Sequence, residues 1–374
     1  MKFVVSSSAL QSHLQVISRV INSKTTMPAL ECFLINIQGK TLTATASDTE
    51  TTLVASMEII ESDGDGLFAI PARTLLDSLR ELSEQPLTLD INMDTFEVVV
   101  YYQNGKYKFV AQDGKIYPAM KQMSEQTTLV ELPAETLLRG INCTLFASAD
   151  DDIRPVMNGF VMDISTENIT FVASDAHKLV RMTCTQIHGN EANTLIIPKK
   201  PASVLRAILP KESAMVRVEF DENNVLFGLS NYKMYCRLVE GRFPNYNAVI
   251  PKNNPFKVLV ERVSFLNALK RVSAFANQST GLMRLSISNN NIFLISQDLD
   301  FSTSAEENVA CQYDGNPLVI GFKGQFLMDI VSNLETKDII MELADPSRAT
   351  TLLPDENAEG EDLLMLLMPM LLND

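Results

Sequence analysis

The chain repeats itself three times in register, and any fold it adopts must be assembled from that unit. Ile37, Ile164 and Ile287 are spaced by 127 and then 123 residues, as are Asp48, Asp175 and Asp298, and as are Ile70, Ile197 and Ile320. In each copy the first isoleucine precedes the aspartate by 11 residues, within FLINIQGKTLTATASD, GFVMDISTENITFVASD and LSISNNNIFLISQD. Nine positions under one spacing rule mark one ancestral unit copied twice.

The unit is itself double. Val5 precedes Ile70 by 65 residues, Leu132 precedes Ile197 by 65, and Val260 precedes Ile320 by 60, which gives six half-units. Each opens on a short apolar strand and passes into a helix-period segment. Leu10, Leu14 and Ile17 share one helical face, as do Leu137, Leu138, Ile141 and Leu145, and Phe265, Leu266, Leu269 and Val272. Strand-like runs such as FEVVVYY, KYKFVAQ, AMVRVEF and KMYCRLV follow. The reading is an α+β fold of three repeated domains, each of two strand-helix-strands half-units with antiparallel sheets. The length of 374 residues suits three cores better than one. Boundaries are predicted in the polar stretch at Ser124–Gln126 and in IPKNNP at 250–255, dividing the chain into 1–125, 126–252 and 253–374.

Several function classes are excluded by what the residues can do. Five cysteines, Cys32, Cys143, Cys184, Cys236 and Cys311, are an odd number without ligand-like spacing, which argues against a disulfide framework and against a zinc site. The segment MKFVVSSSALQSHLQV lacks the apolar core of a signal peptide, and LLMLLMPMLL is about half the length of a spanning helix, so a cytoplasmic protein is expected. Ser174, Asp175 and His177 are the residue types of a hydrolase triad, but their adjacency on one strand end gives no triad geometry. There is no phosphate-binding glycine loop and no carboxylate cluster of metal spacing. Neither an enzyme, a cofactor nor a metal is expected.

A net charge of −15 would ordinarily argue against a nucleic-acid partner. The distribution reverses the inference. The predicted helices (8–21, 72–83, 134–147, 199–210, 262–276 and 323–334) hold eleven lysines and arginines against four acids. Arg73, Lys200 and Lys323 recur at the repeat spacing, each three residues past the repeat isoleucine, where the second helix of each unit begins. A cation there opposes the helix dipole, and a phosphate held near the helix amides would offset the cost.

Four runs carry a resemblance: Ser174-Asp175-Ala176-His177-Lys178-Leu179, Glu240-Gly241-Arg242-Phe243-Pro244-Asn245-Tyr246, Ile70-Pro71-Ala72-Arg73, and Met368-Pro369-Met370. Over its whole length the chain resembles the beta subunit of bacterial DNA polymerase III, the sliding clamp. The resemblance implies a head-to-tail homodimer whose six domains form a ring, with helices lining a central channel through which duplex DNA passes without its sequence being read. It also implies that the polymerase III catalytic subunit, the clamp loader and other clamp-binding-motif proteins dock short peptides between the second and third domains. A repeat-built scaffold that binds proteins without encircling DNA is the alternative.

The same resemblance assigns residues. DNA contact is expected of Lys24, which replaces the family's arginine after the first helix, and of Arg73, Lys199 and Lys200. The peptide pocket is expected to comprise Met157, Ser174, Ala176, His177, Lys178, Leu179, Pro244 and Val249, with Lys323, Phe326, Pro346, Ser347, Arg348, Met368, Pro369 and Met370. Lys323 is placed at the pocket edge rather than on DNA. Phe109 and Phe275 match apolar contacts between subunits. In the segment from Asp150 to Val156, acids, proline and valine stand where the family carries DNA-touching residues, and Leu371–Asp374 extend past the usual end.

Overall fold

The computed structural model describes residues 1–22, 24–119, 123–151 and 153–372. Asp152 of the acidic loop and the last two residues, Asn373 and Asp374, lie outside the described residues. Six α-helices occur among them: α1 (Ser7–Ile17), α2 (Ala72–Arg80), α3 (Ala134–Thr144), α4 (Lys199–Ile208), α5 (Arg262–Ser273) and α6 (Gly324–Asn333). Each is preceded by one strand and followed by three longer ones, with two-residue strands added at Glu61–Ser62 and Gln112–Asp113 in the first domain, which is the predicted half-unit six times over. The helices are shorter than predicted at their C-terminal ends because α1, α3 and α4 tighten into 3₁₀ turns at Ser18–Val20, Leu145–Ala147 and Leu209–Lys211.

The apolar faces account for these helices. Leu10, Leu14 and Ile17 of α1 are buried, as are Phe265, Leu269 and Val272 of α5. Each such side chain contributes about 1.5–3 kcal/mol on burial. Ser6 caps α1 by accepting from the Ala9 amide at 3.1 Å, and Glu261 caps α5 by accepting from the Val263 and Ser264 amides. By contrast, α2 and α6 begin at Pro71 and Lys323 with no side-chain cap, so these two cationic starts leave helix amides without that partner.

The two halves of each domain exchange their leading strands. Lys2–Ser6 pairs antiparallel with Pro86–Ile91 of the other half, while Gly66–Pro71 pairs with Cys32–Gln38. The same exchange joins Thr128–Pro133 to Met215–Phe220 and Asn193–Pro198 to Gly159–Ile164. It recurs between Phe256–Glu261 and Asp338–Leu343, and between Leu318–Lys323 and Leu282–Ser288. Ile37, Ile164, Ile287, Ile70, Ile197 and Ile320 are all 0–1% exposed in these strands, so the repeat spacing registers the core.

The chain forms two compact units, residues 1–138 with 200–238 and residues 139–199 with 239–374. The first unit holds a five-stranded and a nine-stranded sheet, and the second holds a twelve-stranded sheet. Their composition explains the division. In the first unit Thr51–Glu58 continues antiparallel into Tyr232–Arg237, from Ala55 opposite Tyr232 to Thr51 opposite Cys236. In the second, Lys178–Cys184 continues into Glu361–Leu367, from Lys178 opposite Leu367 to Cys184 opposite Glu361. The central repeat thus contributes one sheet to each unit, and no edge is exposed at either seam.

Candidate peptide pocket and cationic helix starts

The repeated aspartates do one local job. Oδ1 of Asp48 accepts from the amides of Glu50 and Thr51, Oδ1 of Asp175 from those of His177 and Lys178, and Oδ1 of Asp298 from those of Asp300 and Phe301. One carboxylate oxygen therefore closes a tight turn two and three residues ahead, a use to which short polar side chains are suited. The second oxygen is left for a different partner in each domain. Oδ2 of Asp48 receives Lys200 Nζ at 2.5 Å, Oδ2 of Asp175 receives Lys178 Nζ at 2.6 Å, and Oδ2 of Asp298 receives Asn277 Nδ2 at 3.2 Å.

In the second unit that turn carries most of the candidate pocket. Ala176 takes a left-handed φ of 75° at its tip, and Ser174 Oγ braces it by donating to the Lys178 carbonyl and accepting from the Ala176 amide. His177 stacks on Phe326 of α6 at 5.8 Å, and Lys178 Nζ lies 4.2 Å from the same ring centroid. Lys323 Nζ sits 4.7 Å from that ring. Two ammonium groups thus lie over one aromatic ring. Lys178 is 5% exposed and is neutralised by Asp175. The residues of the imagined triad are all occupied: the serine and aspartate hold the turn and the histidine packs on a ring.

The chain's last segment is strapped to this group. The Met368 amide donates to the His177 carbonyl at 2.8 Å, and the Met370 amide donates to the Gly321 carbonyl at 2.8 Å. Leu372 lies against Gly321, where an added Cβ would stand 2.7 Å from its Cδ2. Beneath, buried Leu179 packs in one apolar cluster with Val161, Val172, Ile196, Phe243, Ala349 and Leu366, and Met157, Tyr246 and Ile250 pack against it. Val249 and Met368 remain 56% and 41% exposed, and Pro244, Pro346, Ser347 and Arg348 are exposed too. Arg348 donates to the Asn253 carbonyl at 3.3 Å, and Ser347 bonds Asp345.

Residues outside the assigned pocket position this floor. Tyr246 donates its hydroxyl to Asp163 Oδ2 at 2.7 Å; burial, and then the carboxylate, push the phenol far above its ordinary range, so it remains a donor. Gly241 adopts φ 120°, a conformation that side chains rarely take, which fixes glycine in the EGRFPNY run. The sequence offered the run itself, but nothing in it named Asp163.

The cations divide in a way their spacing could not reveal. Lys24 is exposed, and Arg73 is 95% exposed with only a 3.7 Å contact to Asp77. Lys199 pairs with Asp150 of the acidic loop at 3.2 Å. Lys200, by contrast, gives its ammonium to the Val20 carbonyl at 2.6 Å, to Asn22 Oδ1 at 2.8 Å and to Asp48. An ammonium has three hydrogens, and here all three have acceptors within the same unit. The positive excess of the helices also shrinks within the fold, since Arg139 is held by Glu335 and Glu361 and Arg271 by Glu307. Replacing Lys200 with methionine is expected to cost roughly 2 kcal/mol by removing a charged donor from Asp48. An unchanged urea midpoint for the unfolding of that unit would contradict the clasp.

Among the described residues no cluster of His, Cys, Asp or Glu could hold a metal ion, and no helix is long and apolar enough to cross a membrane. All five cysteines are free. Burial raises Cys143 to about 11 and also pushes up Cys236, which leaves both as thiols rather than nucleophiles.

Three strand-exchanged domains whose sheets run on into their neighbours, with an adaptable apolar groove beside one seam, define a clamp-type protein-docking chain. Sequence profiles agree domain by domain. The N-terminal domain of the DNA polymerase III beta subunit matches residues 1–121, the central domain 131–245 and the C-terminal domain 247–370. The beta sliding clamp of Pseudomonas putida is 26% identical over 371 residues, covering 99% of this chain and 100% of that one. That of Haemophilus influenzae is 27% identical over 370 residues, with the same coverage. Among solved structures, a Bartonella birtlesii sliding clamp bound to griselimycin superposes with a TM-score of 0.92 at 26% identity, covering 100% of both chains. A Pseudomonas aeruginosa sliding clamp, also griselimycin-bound, superposes at 0.93 with 23% identity and the same full coverage.

The chain belongs to the DNA polymerase III beta-subunit family. It is a DNA sliding clamp, a replication processivity factor and not an enzyme.

Proposed function

We propose that two copies of this chain close head to tail around duplex DNA, and that the ring tethers the polymerase III catalytic subunit, the clamp loader and other clamp-binding-motif proteins in the cytoplasm. The observation that carries this is an inventory of seams. Each repeat has a third strand, Thr51–Glu58, Lys178–Cys184 or Thr303–Gln312, of which the first two meet the last strand of the following repeat. Thr303–Gln312 pairs fully with Asn291–Asp298 and touches Phe256–Glu261 only at Cys311 and Gln312, so its outer edge is left over. Gly105–Val110, the last full-length strand of the first repeat, is the edge of the five-stranded sheet. One edge of each kind remains per chain, and joining them between two copies uses both and closes. Lys106 on one edge and Glu306 on the other are exposed and of opposite sign, and Phe109 and Phe275 stand near the two sides.

Within the ring, phosphate would meet Lys24, Lys199 and, as a single copy presents it, Arg73. Such contacts attract DNA without reading base edges, as a sliding ring requires. The domain boundaries fall near residues 125 and 252. Partner peptides occupy the groove of Met157, Ser174, Ala176, His177, Lys178, Leu179, Pro244, Val249, Lys323, Phe326, Pro346, Ser347, Arg348, Met368, Pro369 and Met370. Methionine suits such a groove because its unbranched side chain adapts to differing apolar partners. Deleting Met368 onward is expected to lower the affinity for a clamp-binding peptide by roughly tenfold or more, since it removes rim contacts and the strap over His177. Fluorescence anisotropy with a labelled peptide reads this, and unchanged affinity would exclude the tail from the site.

A further inference from the structure

We infer that the seam between the first and second repeats holds a second copy of the partner-peptide pocket, and that four side chains there, Glu50, Thr52, Ser203 and Arg237, close it to the peptides that the groove beside Leu179 admits. The inference rests on the pocket reading and deepens it, since it names the residues that confine partner peptides to one groove per chain. The first seam has a cavity of about 220 Å³, lined among others by Ser47, Thr49, Thr52, Pro118, Tyr235 and Arg237, all of the first compact unit.

The two pockets are built bond for bond on the same frame. Ser47 Oγ donates to the Thr51 carbonyl at 3.3 Å and accepts from the Thr49 amide at 3.2 Å, as Ser174 does with the Lys178 carbonyl and the Ala176 amide. Thr49 takes a φ of 79° where Ala176 takes 75°. Each turn leads into a strand that meets the last strand of the following repeat in the same register, Thr51 opposite Cys236 and Lys178 opposite Leu367. The Arg237 amide then donates to the Glu50 carbonyl at 3.0 Å, as the Met368 amide does to that of His177. A 3₁₀ turn at Pro28–Glu31 stands 127 residues before its counterpart at Pro155–Met157.

The side chains on that frame differ where a peptide would enter. Leu179 floors the groove of the second seam within an apolar cluster, whereas its counterpart Thr52 is buried and bonds Ser47, hydroxyl to hydroxyl, at 2.8 Å. His177 and Met368 at the rim are matched by Glu50 and Arg237, both exposed. Phe326, the ring on which His177 stacks, has Ser203 as its repeat partner 123 residues earlier. The cations complete the contrast. Lys200 is drawn into the clasp of Asp48, whereas at the second seam Lys178 fills the aspartate and Lys323, the repeat partner of Lys200, lies over the Phe326 ring. An apolar side chain entering the first pocket would strip water from a carboxylate and a guanidinium at its mouth and meet no aromatic wall, so one frame rejects what the other accepts.

The test exchanges side chains between the two pockets of the full chain, with a synthetic peptide carrying the clamp-binding motif as the probe in isothermal titration calorimetry. The wild-type chain is expected to take one peptide, and the variant combining Glu50→His, Thr52→Leu, Ser203→Phe and Arg237→Met to take two. The reverse exchange, His177→Glu with Met368→Arg, alters two exposed residues and is expected to weaken the native site by roughly tenfold or more. Two peptides on the wild-type chain would overturn the exclusion, as would a folded fourfold variant that still takes one. Where that variant fails to fold, the reverse exchange decides, and an affinity equal to that of the wild type overturns the inference. Failure of the pocket reading is distinct from all of these, because removal of Met368 onward would then leave the affinity unchanged as well.

Discussion

Protein loaded onto nicked circular DNA is expected to remain bound through gel filtration in high salt and to be lost once the circle is cut open. The reasoning is topological. Attraction between lysines and phosphate weakens steeply as salt displaces the benefit of counterion release, whereas a closed ring is retained by linkage and is indifferent to ionic strength. With an overall charge of −15, this chain has little prospect of holding DNA by adhesion alone. Equal loss from circular and linear DNA would mean that the copies do not close, and would favour a scaffold that binds partners without enclosing the duplex.

Replacing Asp175 with alanine is expected to destabilise the second compact unit by about 3–5 kcal/mol, the cost of leaving a buried ion without its partner. The geometry makes this the most exposed weakness of the pocket: Lys178 is 5% exposed, and its ammonium bonds Asp175 at 2.6 Å. The same carboxylate also accepts the His177 and Lys178 amides, so the turn loses its closure as well. Chemical denaturation measures the loss. Adding Lys178→Met should recover a substantial part of it, because the stranded charge is then gone. A single variant as stable as the parent would show that solvent, not Asp175, balances this lysine.

The fold was legible because the signals that define it are local and repeated. The apolar faces of α1 and α5 lie within a dozen residues, and the isoleucine and aspartate spacings fix where the strands and turns recur. The chemistry of the cations was less legible, because their partners are distant in the chain. Lys200 meets Val20, Asn22 and Asp48, and Arg139 meets Glu335 and Glu361. A count of charges along helices cannot tell a solvated cation from one already neutralised across the fold. Asp175 and Lys178 are the intermediate case, three residues apart and readable as a pair, yet their burial against Phe326 depends on a helix about 150 residues further along the chain.

The exchange of leading strands bears on how the protein is made. Beyond a two-residue pairing with Glu61–Ser62, Lys2–Ser6 finds its full ladder in Pro86–Ile91, so this strand must wait largely unpaired until most of its domain has been translated. The wait recurs for Thr128–Pro133 and Phe256–Glu261. Synthesis of this chain therefore proceeds through three successive intervals in which an apolar strand is without its partner, each ending when a domain's second half emerges.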